Sequence, residues 1–196
     1  MKKILFAHDL YIVSDSVSIL KKAVDNGAAI VQLRDKSGDE PAILEKAREL
    51  VAYKEARPFI FILNDNPVLA VKAGADGVHI GQDTSTEETG KIVGEKMIIG
   101  KTTHNLEQAR EAVEDGADYI SVGPVYETPT KPGRPAVGLE YVREAAQHLS
   151  IPFVAIGGID LTNIDEVLAA GAKTVAVVRA HADAIKLLEK IKCGSL

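Results

Sequence analysis

The sequence of 196 residues is poor in cysteine and aromatic residues, and these shortages exclude several classes of protein. Cys193 is the only cysteine, so no intrachain disulfide can form and the chain suits a reducing compartment. Tryptophan is absent and aromatic residues make up 5% of the chain, which leaves little material for stacking on nucleic-acid bases. A small-molecule ligand is therefore the stronger expectation.

Long apolar runs and an excess of basic charge are missing as well. No apolar run approaches the roughly 20 residues that a membrane helix needs, and the first residues lack the pattern of a signal peptide. The formal charge is −5, from 23 basic and 28 acidic residues, whereas surfaces that bind nucleic acid are usually strongly basic. We therefore expect a cytoplasmic protein that binds neither membranes nor nucleic acids.

One kind of junction recurs four times along the chain, with a helical pattern that stops at glycine and a strand-like run soon after. The four glycines are Gly27, Gly74, Gly116 and Gly171. Glycine takes the left-handed conformation that often ends a helix without steric cost. The repetition indicates an architecture built from similar helix-to-strand units.

Eight short apolar runs bounded by turn signals predict buried strands. They lie at residues 10–14, 29–33, 59–63, 77–80, 97–101, 119–122, 152–156 and 174–178. Amphipathic patterns between them, clearest at 42–51 and 106–113, predict helices. Strict alternation implies parallel strands, and eight such units close into a single-domain (β/α)8 TIM barrel spanning residues 1–196. An open doubly wound sheet is the alternative, but no Gly-x-Gly-x-x-Gly fingerprint follows the first strand.

Polar residues follow six consecutive predicted strands, at the end where barrels of this kind hold their active sites. Arg34 and Lys36 come after the second strand and point to the same side of an extended segment, which suits one phosphate or diphosphate. The alternative is a surface ion pair with Asp35 or Glu40.

The third predicted strand is followed by Asn64 and Asp65, whose oxygen atoms are of the kind that hold magnesium beside a substrate phosphate. The alternative is a helix cap at Asp65 or Asn66, with Pro67 in the first helical turn. His79, inside the fourth strand, is expected to pack within the barrel and not to bind metal.

Two later segments also have the composition of ligand-binding loops. Residues 128–134 combine hydroxyl groups, cations and prolines in a long loop, which predicts a lid, with a solvated turn as the alternative. Gly157 and Gly158 follow the seventh strand, where backbone amides commonly bind phosphate.

Taken together, these segments resemble the thiamine-phosphate synthase family over nearly the whole chain. The most specific matches are residues 32–36, 64–65, 77–82, 123–126 with Thr128, Thr130 and Lys131, and 156–159. The resemblance implies a transferase that joins a hydroxymethylpyrimidine diphosphate to a thiazole phosphate, with Mg²⁺ as cofactor. In its dissociative mechanism, diphosphate departs before the thiazole nitrogen attacks the pyrimidine-stabilised cation.

The resemblance also implies roles for individual residues and suggests a homodimer. The pyrimidine diphosphate would be held by Gln32, Arg34, Lys36, Asn64, Thr102 and Lys131, of which Arg34, Lys36 and Lys131 would act catalytically on the leaving group. The thiazole phosphate would be bound at Thr128, Thr130, Gly158, Val178 and Arg179. The metal ligands would be Asp65 and Asp83.

Two departures from the family pattern keep other functions open. The family usually has an acid where this chain has Thr84, so that Asp83 either substitutes from the neighbouring position or leaves the metal site impaired. It commonly has a serine where this chain has Arg179. The alternatives are a thiazole tautomerase, whose members typically carry a catalytic histidine where this chain has Pro124, and a non-catalytic paralogue that binds phosphorylated thiamine precursors.

Overall fold

The computed structural model describes residues 8–130 and 133–194, and within them strands and α-helices alternate strictly. The strands are β1 (Leu10–Ser14), β2 (Ile30–Leu33), β3 (Ile60–Asn64), β4 (Gly77–Ile80), β5 (Ile98–Thr103), β6 (Tyr119–Val122), β7 (Phe153–Ile156) and β8 (Thr174–Val177). The helices are α1 (Val17–Asp25), α2 (Glu40–Tyr53), α3 (Pro67–Ala73), α4 (Thr86–Val93), α5 (Leu106–Glu114), α6 (Gly138–His148), α7 (Ile164–Ala169) and α8 (Ala184–Cys193). A short 3-10 helix at Arg179–Asp183 precedes α8.

The eight strands form one closed parallel barrel. Each strand pairs with the next in the chain, and the barrel closes between β1 and β8, where Leu10 lies opposite Val175 and Ile12 opposite Val177. The predicted (β/α)8 barrel is confirmed, and the alternative prediction of an open doubly wound sheet is wrong. No helix in the described part of the chain is long and apolar enough to span a membrane.

Two apolar clusters hold the barrel together. The larger one joins alternate strand residues such as Leu10 and Ile12 to the buried faces of the helices. The smaller one contains the intervening residues, among them Tyr11, Val13 and Tyr119, and no helical residue. Because successive strand side chains point to opposite faces of a sheet, the smaller cluster fills the barrel interior.

Caps and glycines end the helices where the sequence predicts them. The junction glycines have φ between 77° and 104°, the left-handed region that glycine tolerates best. At the start of α3, Asn66 Oδ1 accepts a hydrogen bond of 2.9 Å from Leu69 N, and Pro67 occupies the first turn. The helix cap predicted at Asp65 or Asn66 is therefore confirmed at Asn66, and Asp65 does not cap the helix.

Candidate active site

A cavity of about 340 Å³ opens at the carboxyl end of the barrel and receives residues from all eight strands or the loops that follow them. The predicted substrate-binding residues that line it are Gln32, Arg34, Asn64, Thr102, Thr128, Thr130, Gly158, Val178 and Arg179. Three predicted residues, Lys36, Asp65 and Asp83, are not part of its wall. Lys131 lies outside the described residues.

Arg34 presents a half-buried guanidinium to the cavity from the end of β2. Its backbone N–H donates to Ser14 O at 2.9 Å, which continues the pairing of β1 with β2 by one residue. The side chain forms no ion pair with any residue that the structure describes. A partly shielded guanidinium without an acidic partner is suited to an anionic ligand.

Asp35 forms an ion pair with Lys46 of α2 and not with Arg34. Its carboxylate accepts hydrogen bonds from Lys46 Nζ at 2.7 Å and from Ser37 N at 2.8 Å. The hydrogen bond from Lys46, helped by the one from Ser37, lowers the pKa of Asp35 to about 2. Glu40 instead accepts from Asn66 Nδ2. The alternative of surface pairs from Arg34 or Lys36 to Asp35 or Glu40 is therefore wrong.

The Asp35 and Lys46 pair leads to a prediction about stability. Asp35→Asn should lower the free energy of unfolding at pH 7 by about 1.5–3 kcal/mol, because it removes the negative charge from a hydrogen bond between charged groups. Since the folded pKa, about 2, lies below the ordinary value of 3.8, this stabilisation is complete above about pH 5 and is lost as the pH falls through the folded pKa. Urea denaturation at several pH values measures the difference.

The matched control is Asp165→Asn, which removes an exposed pair with Lys190 between α7 and α8. Exposed pairs contribute about 0–1 kcal/mol, so this variant should be nearly neutral. Equal losses in the two variants, or a loss at Asp35 that does not change with pH, would contradict the assignment.

Lys36 and Asp65 form an ion pair across the ends of β2 and β3, at the rim of the barrel. Both side chains are about half exposed, at 53% and 44%. Asp65 has a left-handed backbone with φ of 63°, a conformation for which aspartate is enriched. Its N–H donates to His79 O at 2.8 Å, which fixes the turn after β3 against β4.

The residues at this rim can contribute to a magnesium site without forming a complete one. Among the described residues, no three His, Cys, Asp or Glu side chains cluster closely enough to hold a metal. Magnesium usually takes only one or two carboxylates and completes its shell with water and substrate phosphate oxygens. The exposed carboxylate of Asp65, next to Asn64 in the cavity wall, fits that donor set.

Asp83 lies in the exposed loop that follows β4. Lys101 Nζ fixes this loop by donating to Gln82 O at 2.8 Å and to Thr84 O. Lys101 lies in β5 and is held by these two carbonyl groups. Partial burial lowers the pKa of its ammonium group. Asp83 as a metal ligand stays a prediction.

The opposite side of the cavity is built from the loops after β6, β7 and β8. Gly157 and Gly158 have φ of 105° and 68°, and a Cβ on Gly158 would come within 2.7 Å of Tyr126 Cβ. Only glycine fits there. Asn163 Nδ2 donates to Gly158 O at 2.9 Å and holds the turn. Residues of this turn therefore line the cavity with backbone.

Arg179 stands at the end of β8 in the cavity wall, together with Asp160. The pKa of Asp160 is lowered, first by hydrogen bonds from Thr162 and further by the charge of Arg179. On the same side, Thr130 N donates to Thr128 Oγ1 at 3.3 Å. Two hydroxyl groups, a guanidinium and a glycine turn thus lie around one half of the cavity.

Sequence reasoning missed the polar residues of the cavity floor. Tyr11, Tyr119 and Ser121 line it and are nearly inaccessible. His79 is 7% exposed inside the barrel, as predicted, and bonds to Tyr119 and Thr102, with Ser121 Oγ farther away at 3.5 Å. The only signal in the sequence was a hydroxyl side chain in otherwise apolar strands, at positions that face the barrel interior.

A barrel whose strand ends bring cationic, amide, hydroxyl and glycine backbone groups around one cavity defines an enzyme that acts on small anionic molecules. The family model described as thiamine monophosphate synthase matches residues 6–181. The chain belongs to that family. The resemblance stated above and the class of enzyme, a transferase, are therefore confirmed.

Individual relatives agree with the family model. A thiamine-phosphate synthase of Thermus thermophilus is 50% identical over 165 residues, which cover 84% of this chain and 80% of that protein. The thiamine phosphate pyrophosphorylase of Pyrococcus furiosus superimposes with a TM-score of 0.85 at 30% identity, covering 96% of this chain and 99% of the other. Neither the tautomerase nor the non-catalytic paralogue is supported by these relatives.

Some relatives are much longer than this chain. The thiamine-phosphate synthase of Thermosynechococcus vestitus is 45% identical over 84% of this chain, but the match covers 47% of that protein. For the relative from Gloeobacter violaceus the covered share is 53%. The chain thus spans about half the length of these two relatives.

Proposed function

We propose that this chain joins hydroxymethylpyrimidine diphosphate to a thiazole phosphate and releases diphosphate. The observation that carries the proposal is the division of one cavity into two polar halves. One half is formed by residues in β2, β3 and β5 or directly after β2, namely Gln32, Arg34, Asn64 and Thr102. The other half is formed by Thr128, Thr130, the glycine turn and Arg179, which come from the segments after β6, β7 and β8. Two halves with separate anion-binding groups suit two phosphorylated substrates.

The first half would bind the pyrimidine diphosphate. Bond cleavage between the pyrimidine methylene carbon and the diphosphate oxygen leaves both bonding electrons on the diphosphate, so that the leaving group gains negative charge. Arg34 would stabilise this charge from the cavity wall, with Lys36 at the rim as a second cation. Lys131 is proposed as a third. Gln32 and Asn64 would orient the substrate, and Thr102 would donate to a diphosphate oxygen.

Magnesium would be held at the same side by Asp65, with Asp83 as a second carboxylate, and by diphosphate oxygens. When bound, the ion supplies positive charge that stabilises the leaving group. Lys36 contacts Asp65 in the resting protein. The lysine would then move from the carboxylate to the diphosphate as the substrate binds.

The second half would hold the thiazole phosphate so that its ring nitrogen faces the cation left by diphosphate departure. Thr128, Thr130 and the backbone N–H of Gly158 would donate to the phosphate, next to Val178. Arg179 would add a charge-assisted hydrogen bond where the family commonly has serine. A homodimer and a cytoplasmic location are further proposals, which rest on the resemblance and on the single cysteine.

The test is an assay with both substrates and Mg²⁺, in which thiamine phosphate and diphosphate are measured together. We expect equal amounts of the two products, and neither product when one substrate is left out or the metal is chelated. Protein that binds both substrates and releases no diphosphate would reject the proposal. Conversion of the thiazole phosphate without the pyrimidine would indicate an isomerase instead.

The metal site gives a separate prediction. Asp65→Asn should raise the Mg²⁺ concentration needed for half-maximal rate by about tenfold or more, because loss of a carboxylate near the ion weakens metal binding at least as much as loss of an outer-shell partner. Steady-state rates at increasing Mg²⁺ measure the change. Asp165→Asn, which is not among the residues that line the cavity, is the control. An unchanged Mg²⁺ requirement in Asp65→Asn would place the metal elsewhere.

A further inference from the structure

A row of hydrogen-bonded side chains crosses the floor of the cavity from β2 to β5. Gln32 Nε2 donates to Tyr11 Oη at 2.7 Å, and the two tyrosine oxygens of Tyr11 and Tyr119 are 3.0 Å apart. Tyr119 Oη lies 3.0 Å from His79 Nδ1, and His79 Nε2 lies 3.1 Å from Thr102 Oγ1. The row connects two of the proposed ligand-binding residues, Gln32 and Thr102.

The two tyrosines in the middle of the row keep their protons. Tyr11 is 2% exposed and Tyr119 is fully buried, and burial raises the pKa of both hydroxyl groups well above the ordinary value of 10.0. Each hydroxyl therefore has one proton to donate and lone pairs to accept with.

These single protons give the row one direction. Because Tyr11 accepts from Gln32, its own proton goes to Tyr119, and the proton of Tyr119 then goes to His79 Nδ1. A nitrogen that accepts carries no proton, so the neutral imidazole has its proton on Nε2 and donates it to Thr102. The reverse direction would require the amide oxygen of Gln32 to face Tyr11.

The direction matters for what reaches the ligand. Thr102 has no other side-chain hydrogen bond in the described part of the chain, so that when it accepts from His79 its hydroxyl proton is free to donate. Diphosphate oxygens only accept hydrogen bonds. In the reverse direction the proton of Thr102 would be used on His79, and only oxygen lone pairs would face an anion.

We infer that His79 is a positioning residue: as the Nε2–H tautomer, fixed by Tyr11 and Tyr119, it turns the hydroxyl proton of Thr102 towards the bound anion. At the other end of the row, the same direction leaves Gln32 Oε1 to accept from an N–H donor of the ligand. The nature of the anion rests on the proposed function. The tautomer of His79 does not, since it is a property of the resting protein.

The first test is a nitrogen NMR spectrum of the resting protein labelled with ¹⁵N-histidine. We expect a pyridine-like signal for His79 Nδ1 and a pyrrole-like signal for Nε2. The five histidines are distinguished by comparison with a His79→Gln sample. A protonated Nδ1 with unprotonated Nε2 would overturn the inference whether or not the protein turns out to be a synthase.

The second test compares conservative variants. Tyr119→Phe keeps the ring and removes the hydroxyl, so His79 should become a mixture of tautomers. In this variant kcat/KM for the pyrimidine diphosphate should fall about tenfold, whereas KM for the thiazole phosphate should stay unchanged.

The variants His79→Gln and His79→Asn differ in where they place an amide N–H. The Gln side chain keeps an N–H near the position of Nε2 and the Asn side chain does not, so the Gln variant should keep more activity.

A merely structural role predicts a different pattern. If Tyr119→Phe kept a single His79 tautomer, or if the Gln and Asn variants lost equal activity with equal loss of thermal stability, the inference would be overturned. If the wild-type protein released no diphosphate at all while the NMR result held, the proposed function would fail and the tautomer assignment would stand.

Discussion

Arg34→Ala is expected to lower kcat/KM for the pyrimidine diphosphate by roughly 10- to 150-fold. A hydrogen bond to a charged group contributes about 1.5–3 kcal/mol, and this range corresponds to those factors. The guanidinium lies in the cavity wall and has no ion-pair partner among the described residues, so no other interaction competes for it. Steady-state kinetics with each substrate varied in turn measures the loss.

Two controls separate the role of the guanidinium from charge in general. Arg34→Lys keeps the charge and loses the planar fork, so its activity should lie between those of the wild type and the alanine variant. Arg110→Ala removes an exposed arginine of α5 that is not among the residues lining the cavity, and it should be neutral. Unchanged kinetics in Arg34→Ala would mean that the anion site is misplaced.

Gly100→Ala should destabilise the fold by about 3 kcal/mol, at the upper end of the range for overpacking a core. Gly100 lies in β5, and a Cβ there would overlap the ring and hydroxyl of Tyr119, which is fully buried. Tyr119 cannot move aside without breaking its hydrogen bonds to Tyr11 and His79. Urea denaturation monitored by circular dichroism measures the change.

The matched control is Gly90→Ala in α4. A Cβ on Gly90 would make an ordinary contact of 3.8 Å with Ile99 Cδ1, and alanine is favoured over glycine in a helix by about 0.5–1 kcal/mol. This variant should be as stable as the wild type or more so. A Gly100→Ala protein of normal stability would contradict the packing of Tyr119 across the barrel interior.

Much of the fold could be predicted because each part of it has a local cause. Helix ends at Gly27 and Gly74 follow from the conformation that glycine allows, and buried strands follow from short apolar runs. The end of β5 was predicted too early, at residue 101. The strand continues to Thr103 because Thr102 and Thr103 still pair with Ser121 and Val122 of β6, which an apolar pattern cannot reveal.

The site was predictable only as far as strand ends could be recognised. Arg34, Asn64 and Thr102 were found because polar residues directly after apolar runs reach the same rim of a barrel. The partnership of Tyr11 with Tyr119 joins residues 108 positions apart and has no local signal. The ion pair of Lys36 with Asp65 likewise depends on the parallel pairing of β2 with β3, which joins residues 29 positions apart.

The central claim is that residues from the ends of β2, β3 and β5 bind one diphosphate in one cavity. A crystal structure of the protein with hydroxymethylpyrimidine diphosphate and Mg²⁺ tests it most directly. We expect the diphosphate to lie between Arg34, Asn64 and Thr102, and Asp65 to be among the groups that hold the metal. Diphosphate bound outside this cavity, or contacted by none of these side chains, would contradict the account.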